Sequence, residues 1–346
     1  MTETSARPLA IARWLFAVGF LVFLMVVIGG ITRLTESGLS ITEWKPVTGA
    51  IPPLTEADWQ AEFTKYKHSS QYVLMNQGMD LAAFKHIYFW EFFHRLMGRF
   101  IGLSFLVPLL WFGMKRAIPR VLTGRLIVLF FLGGMQGLVG WLMVKSGLVD
   151  RVNVQPVMLA AHLTMALILL SALVWTALDC LALAKSPSAP LARVTPFAAL
   201  VGGVILIQII MGALTAGMRA GQVSNTWPLM NDHFVPEGID WTHGVGAAFT
   251  HDPFLVHFTH RWWAWVAVAA LVVLARKVKA AGVRPASIAI HSTFGTQILL
   301  GIATVMTGVN ITLAVTHQAV GALVVATTIW GLHVIGQRAA SNHTVL

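Results

Sequence analysis

Eight apolar stretches run through the sequence, and each is about as long as a helix needs to be to cross a membrane. An α-helix rises about 1.5 Å per residue, so roughly twenty apolar residues span the ~30 Å of hydrocarbon in a bilayer. Because 56% of the 346 residues are hydrophobic and only 11% are charged, the chain has more apolar surface than a water-soluble domain of this size buries. We therefore predict an all-α integral membrane protein with eight transmembrane helices. The predicted spans are residues 12–33, 86–113, 122–144, 155–183, 195–217, 252–275, 285–308 and 312–336.

The charges between the spans predict how the chain is oriented. The linkers after the second, fourth and sixth spans are basic, with Lys115, Arg116 and Lys277 among their residues, whereas acids such as Glu56 and Asp240 fall in the other linkers. By the positive-inside rule the basic linkers face the cytoplasm, and both termini lie there too. The same rule accounts for the net charge of +10, so no nucleic acid partner is predicted.

Cys180 is the only cysteine of the chain. An intramolecular disulfide and a CxxC metal site are therefore excluded, and any metal must be held by histidine or carboxylate. The N-terminal segment runs directly into the first span and has the features of neither a cleaved signal nor a transit peptide. This pattern predicts the inner membrane of a bacterium.

The first external linker is about fifty residues long, which is too long for a simple connection. Thr55 to Asp58 has the pattern of a helix cap, and Trp59, Phe63 and Tyr66 follow on one helical face. We expect this aromatic face to lie on the outer membrane surface as a lid. The alternative is a loop helix that packs over a small core of its own.

The second half of the sequence repeats the first half. Glycine, threonine and tryptophan positions of the first span and its linker recur at a constant offset, and histidine, glutamine and glycine positions of later spans recur as well. The matching positions are Gly29, Thr32, Gly38 and Trp44 with Gly212, Thr215, Gly221 and Trp227; His94 and Arg95 with His260 and Arg261; Gln136, Gly140 and Gly147 with Gln297, Gly301 and Gly308; and His162 with His317. Each repeat has four spans, so both run in the same direction. We predict two pseudo-symmetric parallel four-helix bundles, residues 1–185 and 186–346.

Four histidines lie inside the predicted spans at a common depth, namely His94, His162, His260 and His317. At about 1.5 Å per residue, each is roughly 8–14 Å below the external end of its span. Ionisable side chains are costly in a membrane, and two imidazoles on facing helices can bind one iron, so the pattern predicts a haem site in each bundle. Zinc is less suited because it takes three or four ligands. The alternative for each histidine is a hydrogen bond to a neighbouring helix.

The two halves differ one turn before the first ligand histidine, where the first half has Glu91 and the second half has His257. A carboxylate three positions before His94 points to the same side of the helix, beside a haem rather than at its iron. It is placed to move protons or to position water, and an ion pair with Arg95 is the alternative. We therefore predict that the first half carries out chemistry and that the second half holds a haem that supplies or accepts electrons.

The four span histidines at their common depth form what we call the histidine layer. Three arginines, Arg95, Arg99 and Arg261, lie near this layer, just below the external ends of their spans. Haem propionates would supply the partners that these charges need. Lipid phosphates, reached by snorkelling side chains, are the alternative partners.

At these residues the sequence resembles the haem A synthase family, in the branch shared by alpha-proteobacteria and mitochondria. The resemblance extends from the first predicted span to the eighth. Its motifs are GGITRLTESGLSITEWKPVTGAIPP from Gly29, the run from Phe84 through Glu91 and His94 to Arg99, GWLMVKSGLVDR from Gly140, AGMRAGQVSNTWPLM from Ala216, HRWWAW from His260 and THQAVGA around His317.

The resemblance implies oxidation of a pyrrole methyl group of haem O to a formyl group, giving haem A for terminal oxidase assembly. Successive hydroxylations would form a geminal diol that loses water. His260 and His317 would ligate a haem b cofactor, His94 and His162 would surround or ligate the haem O substrate, and Glu91 would be the acid needed for catalysis. A haem O synthase would supply the substrate and a further partner the electrons. The electron donor, the oxygen source and any homo-oligomer stay open.

Three positions depart from the family pattern. Cys180 stands alone, so the chain lacks the cysteine pair that some relatives have in an external loop. His257 replaces an amide residue, and Met158 replaces a basic residue that would anchor a propionate. The main alternative function is a di-haem b-type electron-transfer cytochrome linked to quinol, in which Glu91 is incidental. A transporter built from parallel repeats is a third reading.

Overall fold

The computed structural model describes residues 6–45, 48–148 and 151–343, and these residues form eleven α-helices and no β-strand. Positions 46–47 and 149–150, which belong to two of the motifs above, lie outside the described residues. The helices are α1 (Pro8–Leu34), α2 (Glu56–Lys67), α3 (Ser70–Met75), α4 (Leu81–Met114), α5 (Arg120–Leu148), α6 (Pro156–Lys185), α7 (Pro196–Gly217), α8 (Val245–His251), α9 (Pro253–Ala280), α10 (Arg284–Met306) and α11 (Ile311–His343).

Seven of these helices are long and apolar enough to cross a membrane, which fits a multi-pass membrane protein. They are α1, α4, α5, α6, α7, α10 and α11. Each of the eight predicted spans coincides with one long helix. The sixth predicted span forms α9, which has 28 residues but is not among the seven. Helix α9 carries His257, His260 and Arg261 in its first half.

Contacts between the long helices follow the two halves of the sequence. In the first half, α1 packs on α4 and α6, and α5 packs on α4 and α6. In the second half, α9 packs on α7, α10 and α11, and α10 packs on α11. The halves meet where α11 contacts α1 and α6 and where α6 contacts α7.

The tightest apolar packing lies at one end of the long helices. Ile11 and Leu122, at the starts of α1 and α5, are fully buried with Leu173 and Leu274, which lie toward the ends of α6 and α9. The four predicted ligand histidines lie toward the opposite ends of their helices, where they are only partly buried. The buried core thus holds the helices together at one end and leaves the histidine end more open.

Polar contacts join the two halves at both ends of the interface. At the core end, fully buried Asp179 of α6 accepts hydrogen bonds from Arg125 Nη1 at 2.5 Å, His333 Nε2 at 3.0 Å and the Ala192 amide at 2.9 Å. Because His333 belongs to α11, this carboxylate links helices of both halves. At the histidine end, the Arg33 side chain donates to the carbonyl of Ala216.

The first long linker packs on α4 instead of forming a lid on a membrane surface. The predicted cap is present as a capping box, in which the Thr55 hydroxyl accepts from the Asp58 amide and the Asp58 carboxylate accepts from the Thr55 amide. The aromatic face of α2 is turned inward, since Phe63 and Tyr66 are buried against Phe84. The membrane-surface prediction was therefore wrong, because α4 extends far enough to bury this face in a small core of its own.

Candidate functional site

Each of the four span histidines lies against a glycine of a neighbouring helix. A Cβ atom built on these glycines would lie 2.7 to 3.0 Å from the imidazole Cε1 atom, which is closer than real Cβ atoms approach other atoms comfortably. The pairs are Gly29 with His94, Gly140 with His162, Gly212 with His260, and Gly301 with His317. These glycines are repeat-related positions, so they are retained where an imidazole lies directly on the neighbouring backbone.

The second histidine pair has the spacing that two axial ligands of one iron require. The ring centroids of His260 and His317 are 6.5 Å apart and their planes are nearly perpendicular, at 86°. Two metal–nitrogen bonds of about 2 Å, with each ring centroid about 1 Å farther out, add up to about 6 Å. The two imidazoles therefore fit a haem iron between them. Among the described residues, no group of three or more His, Cys, Asp or Glu side chains forms a bare metal site.

Glutamine amides contact three of the four histidines. Gln136 Nε2 lies 3.2 Å from His162 Nδ1, Gln297 Nε2 lies 3.3 Å from His317 Nε2, and Gln208 Nε2 lies 3.1 Å from His260 Nδ1. His94 has no such contact among the described residues, and the Nδ1 atoms of both His94 and His317 are buried without a hydrogen-bond partner there. Among the described residues, His94 is thus the one histidine of the four without a glutamine contact.

Glu91 is buried, with 3% of its surface exposed, and both of its carboxylate oxygens are engaged. Oε2 accepts hydrogen bonds from the Ser40 hydroxyl at 2.7 Å and the Ile41 amide at 2.8 Å, and Oε1 pairs with Arg95 Nη2 at 2.5 Å. The ion pair with Arg95, which was the alternative prediction for this residue, is present. A fixed negative group is therefore held one turn before His94 by the loop that follows α1.

The predicted arginines are tied to backbone carbonyls of the external loops. Arg95 donates to Ile41 O at 2.9 Å and lies 5.9 Å from the Trp44 ring centroid. In the second half, Arg261 donates to the carbonyls at positions 226, 228 and 229 at 3.0 to 3.2 Å and lies 5.5 Å from the Trp227 ring centroid. The repeat therefore preserves an arginine stacked on a tryptophan, and each arginine braces the loop above its histidine.

The remaining predicted residues lie near this layer. Arg99 donates to Lys45 O at 2.9 Å, and Met158 lies one turn before His162 on α6. His257 is buried, with 2% of its surface exposed, and its Nε2 lies 3.3 Å from Arg261 Nη2. The Nε of Arg261 is buried without a partner among the described residues. His257 thus replaces the Glu91 carboxylate with a neutral or cationic group beside the equivalent arginine.

A cavity of about 550 Å³ lies between the first linker and α4. Its walls include Arg95, Arg99, Lys45, Lys65 and Glu43. Hydrogen bonds from Lys45 and Lys65 lower the pKa of Glu43, and hydrogen bonds to Glu62 and Glu43 raise the pKa of Lys65. The cavity lining therefore contains a network of paired lysines and glutamates together with two arginines.

Sequence reasoning missed several residues of this site. Ser40 and Gln208 were not predicted, although aligning the two repeats places Val223 opposite Ser40 and Met25 opposite Gln208. A polar residue in one repeat opposite an apolar residue in the other was the signal that could have identified these two positions. Asp179 and His333 were also missed as partners, because nothing in the spacing along the chain indicates that α6 and α11 are neighbours.

The arrangement defines a class of protein, namely an all-helical chain with seven helices suited to a membrane and two histidine pairs between helices of two repeats. The COX15-CtaA family, described as a cytochrome oxidase assembly protein, matches residues 12–329. The chain is 54% identical to haem A synthase from Sphingopyxis alaskensis over 339 residues, which is 98% of this chain and 96% of that protein. It is 55% identical over 331 residues to haem A synthase from Erythrobacter litoralis, which is 95% of this chain and 98% of that protein. The chain belongs to the COX15-CtaA family of cytochrome oxidase assembly proteins.

Proposed function

We propose that this chain is a haem A synthase, a membrane oxidoreductase that oxidises a pyrrole methyl group of haem O to a formyl group for terminal oxidase assembly. The observation that carries the proposal is the set of four imidazoles, each in a glycine cleft at a repeat-related position. Family membership and the names of relatives that cover nearly the whole chain support the same activity.

The proposed arrangement has eight transmembrane helices in two parallel four-helix bundles, with α9 as the sixth span. Helix contacts within residues 1–185 and within residues 186–346 support this division. The basic linkers would face the cytoplasm together with both termini, in the inner membrane of a bacterium. In this orientation the histidine layer lies toward the external side and the tight apolar core toward the cytoplasm.

We assign a resident haem b to the second half, where His260 and His317 would hold its iron. When bound, such a haem accepts and donates single electrons. Gly212 and Gly301 give each imidazole its position against the backbone, and Gln208 and Gln297 contact the rings. Arg261 braces the loop above this haem and has a buried Nε available for a propionate.

We assign the substrate, haem O, to the first half, where His94 and His162 would surround or ligate it. Glu91 lies on the same helix one turn from His94 and would exchange a proton at the edge of the substrate. Ser40, the Ile41 amide and Arg95 hold its carboxylate in one orientation. Arg95 and Arg99 line the cavity between the first linker and α4 and would face the substrate propionates.

The rival function is a di-haem b-type electron-transfer cytochrome, in which both sites hold permanent haems and Glu91 has no chemical role. A haem A synthase needs the Glu91 carboxylate for its reaction, whereas the electron-transfer cytochrome does not. Replacement of Glu91 by Gln tests this difference, because it keeps the shape of the side chain and removes its charge. General acid–base groups contribute about 100- to 10,000-fold to rates, so haem A formation is expected to fall by about 100-fold or more.

The measurement is the haem content of the purified membrane protein, extracted and separated into haems B, O and A. The control is Glu43→Gln, the same chemical change at a carboxylate that is 45% exposed on the rim of the cavity. Undiminished haem A in Glu91→Gln, with unchanged haem spectra, contradicts the proposal. Two haems B per chain with no haem O or A in the parent protein supports the cytochrome instead.

A further inference from the structure

An ion pair joins the two halves at the ends of α1 and α7 that lie nearest the histidine layer. Arg219 Nη2 donates to Glu36 Oε1, and the same nitrogen lies 3.2 Å from Asn153 Oδ1 in the linker between α5 and α6. Each of the two charged side chains is 32% exposed. The pair is therefore partly shielded from solvent, and it connects residues of both halves.

Glu36 and Arg219 occupy matching positions of the two repeats. They are 183 residues apart, which is also the offset between the glycines of the first span and their repeat partners. Arg33 donates to the carbonyl of Ala216, which is again 183 residues away. In the proposed arrangement of two parallel repeats, residues at equivalent positions meet only close to the axis that relates the repeats. This axis would pass between Glu36 and Arg219, so that the charge at one position faces the charge at the other.

Both residues follow a helix in the same uncommon backbone conformation. Helix α1 ends at Leu34 and α7 ends at Gly217, and φ is 55° at both Glu36 and Arg219. The amide of each residue donates to the carbonyl three positions earlier at 3.2 Å. This left-handed region disfavours side chains, and glycine is the usual residue there after a helix. Each repeat thus has a long charged residue where glycine would be less strained, which indicates that the side chains themselves are needed.

On the side of the first half, the ion pair is continuous with the loop that holds Glu91. Ser40 and Ile41 donate hydrogen bonds to the Glu91 carboxylate, and they follow Glu36 closely along the chain. Gln71 Nε2 of α3 donates to the Glu36 carbonyl at 3.0 Å, so the backbone of this residue is anchored as well. The position of Glu36 therefore helps to determine where the two donors hold the Glu91 carboxylate.

On the side of the second half, Arg219 leads into the loop that Arg261 holds. The Arg219 carbonyl accepts from the Gln222 amide at 3.0 Å. A few residues later the carbonyls at positions 226, 228 and 229 accept hydrogen bonds from Arg261, which directly follows His260. One ion pair thus connects the loop that holds Glu91 to the loop beside His260.

We propose that Glu36 and Arg219 are positioning residues that hold the Glu91 carboxylate in place relative to the second half, and that haem A formation requires opposite charges at these two positions. The inference rests on the proposed function, because only a reaction at a haem beside Glu91 depends on where this carboxylate lies. A displacement of about 1 Å can cost about 100-fold in rate. Because the two backbones have the same conformation, the charges can exchange places and still meet.

The test reverses the two charges in the full-length protein, one at a time and together. Glu36→Arg and Arg219→Glu each bring like charges together across the repeat axis. Coupling between contacting residues corresponds to about 2- to 150-fold, and partial exposure weakens it, so each single variant is expected to lower haem A formation by about tenfold. The combination of both changes restores the attraction and is expected to return haem A formation to within about threefold of the parent. Extraction and separation of haems B, O and A measure these changes.

Two further measurements separate positioning from a general loss of structure. Three hydrogen bonds from Arg261 hold the loop of the second half, so the haem B content and the midpoint potential of its haem should stay at parental values. Hydrogen exchange of residues 36–41 should become faster in each single variant and return to the parental rate in the combination. Glu56→Arg is the matched control, because it makes the same change in the same linker at a carboxylate that is 68% exposed and paired with Lys85 within the first half. It should match the parent in all of these measurements.

The inference is overturned if a single variant with the parental melting temperature forms haem A at the parental rate, or if the folded combination does not recover. Loss of haem B in proportion to haem A in the single variants also overturns it, because the pair would then only stabilise the fold. Where a reversal variant does not accumulate, Glu36→Gln takes its place with an expected fall of about threefold, and parental activity of that variant counts against the inference in the same way. Hydrogen exchange needs no haem A. A parent protein that forms none contradicts the proposed function, whereas unchanged exchange of residues 36–41 in the single variants contradicts the pairing.

Discussion

The two histidine pairs have the same surroundings, but the helices that carry them pack together more closely in the second half. Both pairs lie in glycine clefts, and an arginine stacked on a tryptophan braces the loop above each half. In the second half, α9 and α11 pack on each other, whereas α4 and α6 as described make little or no direct contact. The second pair is therefore closed and the first pair is more open.

The residues one turn before the first histidine of each pair show the opposite difference, because the first half has more polar contacts there. Glu91 gathers Ser40, Ile41 and Arg95 into a charged cluster beside the first pair, while His257 beside the second pair lies 3.3 Å from Arg261 Nη2 and offers no carboxylate. The half with fewer glutamine contacts to its imidazoles thus has the buried carboxylate.

The largest expected effect comes from filling a glycine cleft. Gly212→Ala places a Cβ 2.7 Å from His260 Cε1, and the ring cannot rotate away because Gln208 holds it. We expect haem affinity at the second pair to fall by about 100-fold, or about 2.7 kcal/mol, within the usual cost of overpacking. Gly29→Ala should cost the first pair less, since its contact is longer, at 3.0 Å, and no glutamine contact to His94 is found among the described residues.

Haem content per chain and haem release measure both changes. Gly203→Ala, in the same helix α7 but with nothing within 4 Å of the added Cβ, is the control and should retain its haem. An equal loss in Gly212→Ala and Gly29→Ala would show that the two imidazoles are held alike, contrary to the comparison.

A second prediction concerns the contact that holds the halves together. Asp179→Asn removes the charge that pairs with Arg125 and accepts from His333, and we expect the free energy of unfolding to fall by about 2–3 kcal/mol. Because Asp179 contacts helices of both halves, neither haem site should be affected more than the other. Denaturant unfolding in detergent measures the loss, with Glu237→Gln, at an exposed carboxylate, as the control. Selective loss of one haem would contradict this role.

A third prediction concerns the cluster that only the first half has. Ser40→Ala removes one 2.7 Å hydrogen bond to the Glu91 carboxylate, and bonds to charged groups are worth about 1.5–3 kcal/mol. Part of this energy is recovered from the Ile41 amide, so we expect haem A formation to fall by about tenfold, with haem B content unchanged. Val223→Ala, at the matching position of the second repeat, should leave haem A formation unchanged. Equal effects of the two variants would remove this distinction.

The smallest effect is expected from pH. Hydrogen bonds from Lys45 and Lys65 lower the pKa of Glu43, so the stabilisation is fully present above the ordinary value of 4.5 and is lost as the pH falls through the lowered value. The Glu43 side chain is 45% exposed, so the loss should stay below about 1 kcal/mol. Hydrogen exchange of α2, compared with its intrinsic rate at pH 6 and at about pH 3, should show slightly lower protection at the acid pH, and this change should be absent in Glu43→Gln.

Much of the histidine layer could be predicted from the sequence because its histidines and the glycines beside them occur at matching positions in both repeats. His94 with His260 and Gly140 with Gly301 are recognisable as pairs without coordinates, and a histidine inside an apolar span already indicates a special role. The inward packing of α2 could not be predicted in this way. Its aromatic face suits a membrane surface and a protein core equally well, and only the position of Phe84 on α4 selects the core.

The amino-acid sequence by itself determined the helical class, the places where the long helices form, the internal repeat and the identity of the paired histidines. These features depend on local composition and spacing, which any reader of the chain can measure. Only the tertiary structure decided that Glu91 is held by Ser40 and Ile41, that Asp179 joins the halves, and that Gln208 rather than Met25 faces an imidazole. Those contacts join residues that are distant along the chain, and their geometry is set by how the helices pack against one another.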